Sequence, residues 1–169
     1  QQEYQTNSDQ VRKLSQLSFL DLYYKDLLER KNEPCYFDVS DQTALASADL
    51  EDKELPGTMH EILFQLKAAS PIALPIATTR PELLPACVAL MVNPDDKRYA
   101  ELIGKQAITP IFNLTIPIIG DDKVAIDKGT GLVMCCTFGD ATDIFWWKKH
   151  QLPLRAIISA HGRLLDLNQ

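Results

Sequence analysis

Two groups of residues in this chain could carry chemistry. In Thr78-Thr79-Arg80-Pro81-Glu82, two hydroxyls and a guanidinium sit where an apolar run gives way to a helix start. Pro81 suits the first helical turn, where its missing N–H has no partner to lose. The free N–H groups of such a start, with Arg80 beside them, suit an anionic or strongly polar ligand. The structural alternative is that both threonines cap the helix while Arg80 pairs with Glu82. Asp140 and Asp143 form the second group, three apart at another helix start and so on neighbouring positions of one face. The preceding Phe138-Gly139 turn lets backbone approach closely. One aspartate is enough for a cap, and a pair could also bind an ammonium group and orient a water. Capping plus complementation of the helix dipole is the alternative for this pair.

Other motifs are less suited to catalysis. Gly129-Thr130-Gly131 lacks the lysine and hydroxyl of a phosphate loop and enters a strand, so it reads as a tight turn that allows close strand approach. Trp146-Trp147-Lys148-Lys149-His150 could stack and neutralise nucleic acid, or place one tryptophan in the core and its lysines at a helix C-terminus. Cys35, Cys87, Cys135 and Cys136 form no CxxC pair and read as reduced, mostly buried thiols of a cytosolic protein. Cys136 is a candidate nucleophile, but no histidine is placed beside it by sequence. His60, His150 and His161 do not supply the spaced pairs of a zinc site, so no metal is expected.

These residues need elements to position them. Apolar residues at Val11, Leu14, Leu17, Leu20, Tyr24, Leu27 and Leu28 predict an amphipathic helix, capped at Ser8 or Asp9 and stopped by Asn32 and Pro34. The apolar stripe needs a partner surface. From Pro34 on, the period falls to two. Strands are predicted at Cys35–Val39, Thr43–Glu51, Met59–Lys67, Ile72–Thr78 and Val88–Val92, with Pro75 placing part of the fourth at an edge or bulge. A turn at Asn93–Asp96 leads into a helix over Lys97–Ile103 ended by Gly104. Further strands follow at Ala107–Thr109, Leu114–Ile119, Val124–Ile126 and Leu132–Thr137. A helix over Asp140–His150, a strand over Arg155–Ser159 and a turn at His161-Gly162 complete the pattern. Short strands with a few helices and no βαβ alternation predict a mixed α/β, barrel-like module at 35–169, preceded by a helical lead-in at 1–34.

At 169 residues, 46% hydrophobic and 24% charged, the chain suits one soluble globular domain. No apolar run is long enough to span a bilayer, and the polar start Gln1-Gln2-Glu3 is unlike a signal peptide. The net charge of −6, from 17 basic and 23 acidic residues, disfavours general nucleic-acid binding, which relies on phosphate neutralisation. Any RNA contact is expected to be local.

Taken together, Ala77-Thr78-Thr79-Arg80-Pro81-Glu82 and, some fifty residues on, Gly129-Thr130-Gly131 with Asp140 and Asp143 resemble the editing domain of the valyl-, isoleucyl- and leucyl-tRNA synthetases. Asp41-Gln42-Thr43-Ala44-Leu45-Ala46, continuing Ala48-Asp49-Leu50-Glu51, looks like the entry to the valyl and isoleucyl insertion. Asn93-Pro94-Asp95-Asp96-Lys97-Arg98-Tyr99 looks like a stretch of the valyl members, and His150-Gln151-Leu152-Pro153 is similar to the family's close. The resemblance covers roughly Val11 to Gly162, and only the valyl members are similar at both ends. The lead-in resembles the synthetase body just before the insertion. Neither HIGH nor KMSKS, the ATP-site signatures of these enzymes, occurs in the chain. The chain departs from many valyl members at Leu83 (threonine there), Met134 (lysine), Cys136 (threonine) and Gly139 (histidine).

The resemblance implies a cytoplasmic fragment of a valine–tRNA ligase that hydrolyses mischarged threonyl-tRNA(Val) and cannot activate an amino acid. Asp143 would bind the α-ammonium, and Asp140 would contact the same end or position water. Thr78, Thr79 and Arg80 would hold the substrate carbonyl and the terminal adenosine. No cofactor is implied for editing, and ATP and magnesium belong to the absent aminoacylation site. Expected partners are the acceptor end of tRNA(Val), the threonyl ester and the remaining synthetase domains, with no membrane. The alternatives are the isoleucyl or leucyl editing domain, a non-catalytic module that docks the acceptor end, and a structural spacer.

Overall fold

The computed structural model describes residues 5–70 and 72–165, so the polar start at Gln1–Glu3 lies outside the described residues. Backbone contacts separate two compact units, residues 1–33 and 34–169. In the first, Ser8 caps a helix, α1 (Asp9–Tyr24), its side chain accepting from Val11 N at 3.4 Å. The helix stops well before Asn32. Asp26 adopts a left-handed φ of 54° and Leu27 N reaches back to Leu22 O at 3.0 Å, a closure that satisfies the last carbonyls. No residue of α1 is buried.

The second unit opens with a hairpin of β1 (Tyr36–Asp38) and β2 (Thr43–Leu45). The strand expected to continue to Glu51 instead becomes a 3-10 turn at Ser47–Asp49, where Asp49 Oδ2 accepts from Ala46 N at 2.9 Å. Then follow β3 (His60–Leu66), β4 (Ala73–Thr78), a 3-10 helix over Pro81–Ala86, β5 (Cys87–Val92), β6 (Gln106–Ile108), β7 (Thr115–Gly120), β8 (Leu132–Cys136) and α2 (Ala141–His150). The last six strands form one sheet in the order β4-β3-β6-β7-β5-β8, antiparallel except where β5 meets β7. Its two end strands, β4 and β8, pack side by side, so the sheet nearly closes into a barrel. Pro75 lies in the end strand β4, where a missing N–H costs the ladder least.

All six residues of β5 are buried. A register shift between Cys87 and Ala89 lets Cys87, Leu90 and Val92 face one core with Phe64, Ile76 and Ile118, while Val88, Ala89 and Met91 face a second core with Trp146 and Leu152. β8 alternates in the same way: Met134 and Cys136 face the barrel interior, and Cys135 packs with the core that holds Trp146.

Three expected elements are replaced. Lys97–Ile103 forms turns and a 3-10 segment at Ala100–Leu102, because the Asp96 side chain captures Arg98 N at 3.0 Å and the Arg98 guanidinium. Val124–Ile126 is a loop, its carbonyls taken by side chains: Asn93 Nδ2 reaches Val124 O at 2.7 Å, and Arg98 Nη2 reaches Ile126 O at 2.8 Å. Arg155–Ser159 keeps only the bridge of Ile158 to Leu164.

Candidate functional site

The seam where β4 meets β8 opens into a cavity of about 390 Å³. Both groups singled out in the sequence line it. Thr78 ends β4, Thr79 and Arg80 lead into the 3-10 helix, and Asp140 and Asp143 open α2. Leu83, Met134, Cys136 and Gly139 stand in the same wall.

Local structure follows the structural alternative in part. Arg80 Nε meets Glu82 Oε1 at 3.2 Å, the expected pairing, but neither threonine caps the 3-10 helix: Arg80 is its N-cap with no side-chain bond, and Thr78 Oγ1 instead accepts from Arg80 N at 3.1 Å in the turn before it. Arg80 Nη1 also donates to Gly139 O at 2.8 Å, tying the β4 side of the cavity to the turn before α2. Asp140 is the N-cap of α2, its Oδ1 accepting from Asp143 N at 2.8 Å, while the residue stays exposed at the cavity rim.

Asp143 is different. It is only 7% exposed, and its Oδ1 accepts from Cys136 N at 3.3 Å. Burial, with the charge of Asp140 adding to it, pushes its carboxyl up to about 6 against the pull of the Cys136 N–H. A half-desolvated carboxylate facing a cavity is suited to a small cation. Cys136 is not a convincing nucleophile. Its Sγ donates to Leu83 O at 3.4 Å, and the adjacent Cys87 thiol, followed by burial, raises it far above the range in which a thiolate forms. Cys87, Cys135 and Cys136 are all buried, and no pair is bridged.

The glycines of Gly129-Thr130-Gly131 provide close approach. Gly129 has φ +59°, and a Cβ there would lie 3.0 Å from the Ala77 methyl, so the loop can close against β4. Gly131 has φ +85° and seats the Arg98–Asp96 pair, whose Nη2–Oδ2 distance is 2.6 Å; a Cβ would collide with both side chains. The buried Asp96 therefore braces the loop that floors the cavity.

Trp146 is core, 3% exposed, and also lines the cavity one turn beyond Asp143. That i,i+3 spacing was the available signal for it. Lys149 Nζ and His150 Nε2 both reach the buried Asp121 Oδ2 at 2.8 Å, so this basic cluster locks α2 to the β7–β8 connection. Burial alone would raise Asp121, but these bonds hold it well below the usual carboxylate range. Sequence reasoning missed Asp121, and it missed Lys123, Val124 and Lys128 in the cavity wall because Val124–Ile126 was expected to be a strand and the loop that carries all three past the cavity was not foreseen.

Comparisons with known proteins bear on the family. A family model described as leucyl-tRNA synthetase, editing domain, matches residues 95–169. A valine–tRNA ligase of Rickettsia rickettsii is 57% identical over 162 residues, covering 96% of this chain and 20% of the relative. Valine–tRNA ligases of Ehrlichia canis and Anaplasma marginale are each 52% identical, covering 98% of this chain and 20% of each relative. The chain thus spans about a fifth of the length of these relatives. Among solved structures, a LeuRS–tRNA–LeuAMS ternary complex of Agrobacterium radiobacter K84 matches with a TM-score of 0.51 at 20% identity, over 95% of this chain and 29% of that one, which is a likeness of fold.

Proposed function

The chain belongs to the editing domains of the valyl-tRNA synthetases, and on that premise we propose that it hydrolyses the ester of threonine misattached to tRNA(Val). The observation that carries this reading is one cavity holding a buried carboxylate, Asp143, a rim carboxylate, Asp140, and a guanidinium, Arg80, across from them.

Such a site answers a physical need. An apolar pocket separates valine from threonine by only about a hundredfold, the established value for this pair, so a second site must remove what the first admits. In the reading we favour, Asp143 binds the α-ammonium and Asp140, whose Oδ2 is free of the cap bond described above, orients a water. Thr78, Thr79 and Arg80 hold the ester carbonyl and the terminal adenosine. Water oxygen bonds to the carbonyl carbon, the bond to the ribose oxygen breaks, and the ribose oxygen takes a proton as free threonine leaves. Positioning and charge stabilisation supply the acceleration without a covalent intermediate or a metal. ATP and magnesium would serve the aminoacylation site of the longer, cytoplasmic ligase, whose other domains carry the tRNA body. No helix among the described residues is long and apolar enough to cross a membrane.

The test is release of threonine from threonyl-tRNA(Val) by this chain. Asp143→Ala should abolish release while circular dichroism and melting show the fold retained; full activity in that variant would remove the ammonium anchor from the account. A second reading, a module that only docks the acceptor end, draws on the apolar wall of Leu83 and Met134, and it predicts binding with no release above the buffer rate.

A further inference from the structure

Three contacts converge on Gly139. Its carbonyl accepts from Arg80 Nη1 at 2.8 Å. A Cβ built on it would overlap Asp143 Oδ2 and would lie 3.1 Å from Leu83 Cδ1. The preceding Phe138 is held at φ +55°, its ring edge-on to Trp147 with centroids 5.0 Å apart. This fixes where the Gly139 peptide sits.

The glycine is not there for its backbone. Phe138, not Gly139, takes the left-handed conformation, so no positive φ requires a glycine at position 139. What position 139 cannot tolerate is volume. Asp143 Oδ1 accepts from Cys136 N at 3.3 Å, and its other oxygen, Oδ2, lies over the bare Cα of Gly139.

We propose that Gly139 is a positioning residue: its Cα seats the Asp143 carboxylate and its carbonyl anchors Arg80, so that one peptide sets the spacing between the two charged groups that bracket the substrate. Leu83 completes the seat on the other side. The catalytic consequence rests on the editing reading; the seat itself does not.

The experiment is a double-variant cycle of Gly139→Ala and Asp143→Ala, read by melting temperature and by deacylation of threonyl-tRNA(Val). The added methyl should lower the melting temperature when Asp143 is present and have little effect once the carboxylate is gone. If Gly139→Ala does not fold, Gly139→Ala/Asp143→Ala should fold. In the folded single variant, kcat/KM should fall by about tenfold to a hundredfold, mainly through KM. The acid limb of the pH profile should move as well, because the carboxylate has left its buried seat. An equal loss of melting temperature in both backgrounds, a double variant that still does not fold, or unchanged kcat/KM and pH profile would overturn the proposal. If the unsubstituted chain shows no turnover, the hydrolytic reading fails, and the melting cycle still decides whether Gly139 seats Asp143.

Discussion

Asp143 is a group whose burial opposes stability. With its carboxyl lifted from 3.8 to about 6, the native state holds a proton that the unfolded chain releases, so this residue's contribution to stability falls as pH rises between those values. Above about pH 6 the full penalty stands, at most about 3 kcal/mol from the size of the shift. Asp143→Asn, which keeps an oxygen for Cys136 N, should therefore melt higher than the parent at pH 7.5, with the difference vanishing by about pH 4; a difference independent of pH would contradict this. With Asp143 as the proposed ammonium anchor, deacylation should lose activity as pH drops through about 6. Arg80→Ala should raise KM by about tenfold, since it removes both a cation and the tie to Gly139; unchanged KM and rate would refute that role. At this scale the sequence was informative, because Thr78, Thr79, Arg80, Asp140 and Asp143 meet in one cavity. What it could not show was which aspartate is buried, since that depends on Cys136 and Leu83 arriving from other elements.

The elements near the site show why local pattern sometimes failed. The helix over Asp140–His150 was legible from its cap, its acidic first turn and its basic last turn. The helix expected over Lys97–Ile103 and the strand over Val124–Ile126 were not: the Asp96 side chain captures the N–H of Arg98 two residues on, and Asn93 and Arg98 reach the Val124 and Ile126 carbonyls from far along the sequence, and periodicity carries no sign of either. The cap of α2 offers a way to separate structure from chemistry. Asp140→Ala should lose about 1 kcal/mol in urea unfolding with unchanged slope. Asp140→Asn should keep that stability, because an amide oxygen can still accept from Asp143 N, yet deacylate more slowly for want of the charge. Full activity in Asp140→Asn would remove the charge of Asp140 from the mechanism.

For the whole molecule, closure of the six-stranded sheet brings β4 and β8 together, and the site lies at their seam, so residues far apart in sequence act as one wall. The barrel-like class could be read from many short strands without βαβ alternation, but the strand order, with parallel β5 and β7, could not. A net charge of −6 implies that the chain alone grips the tRNA body weakly. It should bind full-length tRNA and a short acceptor-stem helix with similar affinity in a titration; a large preference for the full-length tRNA would show an RNA surface beyond the cavity. The most direct measurement compares hydrolysis of threonyl-tRNA(Val) and valyl-tRNA(Val) by this chain under single-turnover conditions. The account predicts rapid loss of the threonyl ester with the valyl ester decaying at the buffer rate; equal rates for the two esters, or no hydrolysis of either, would contradict it.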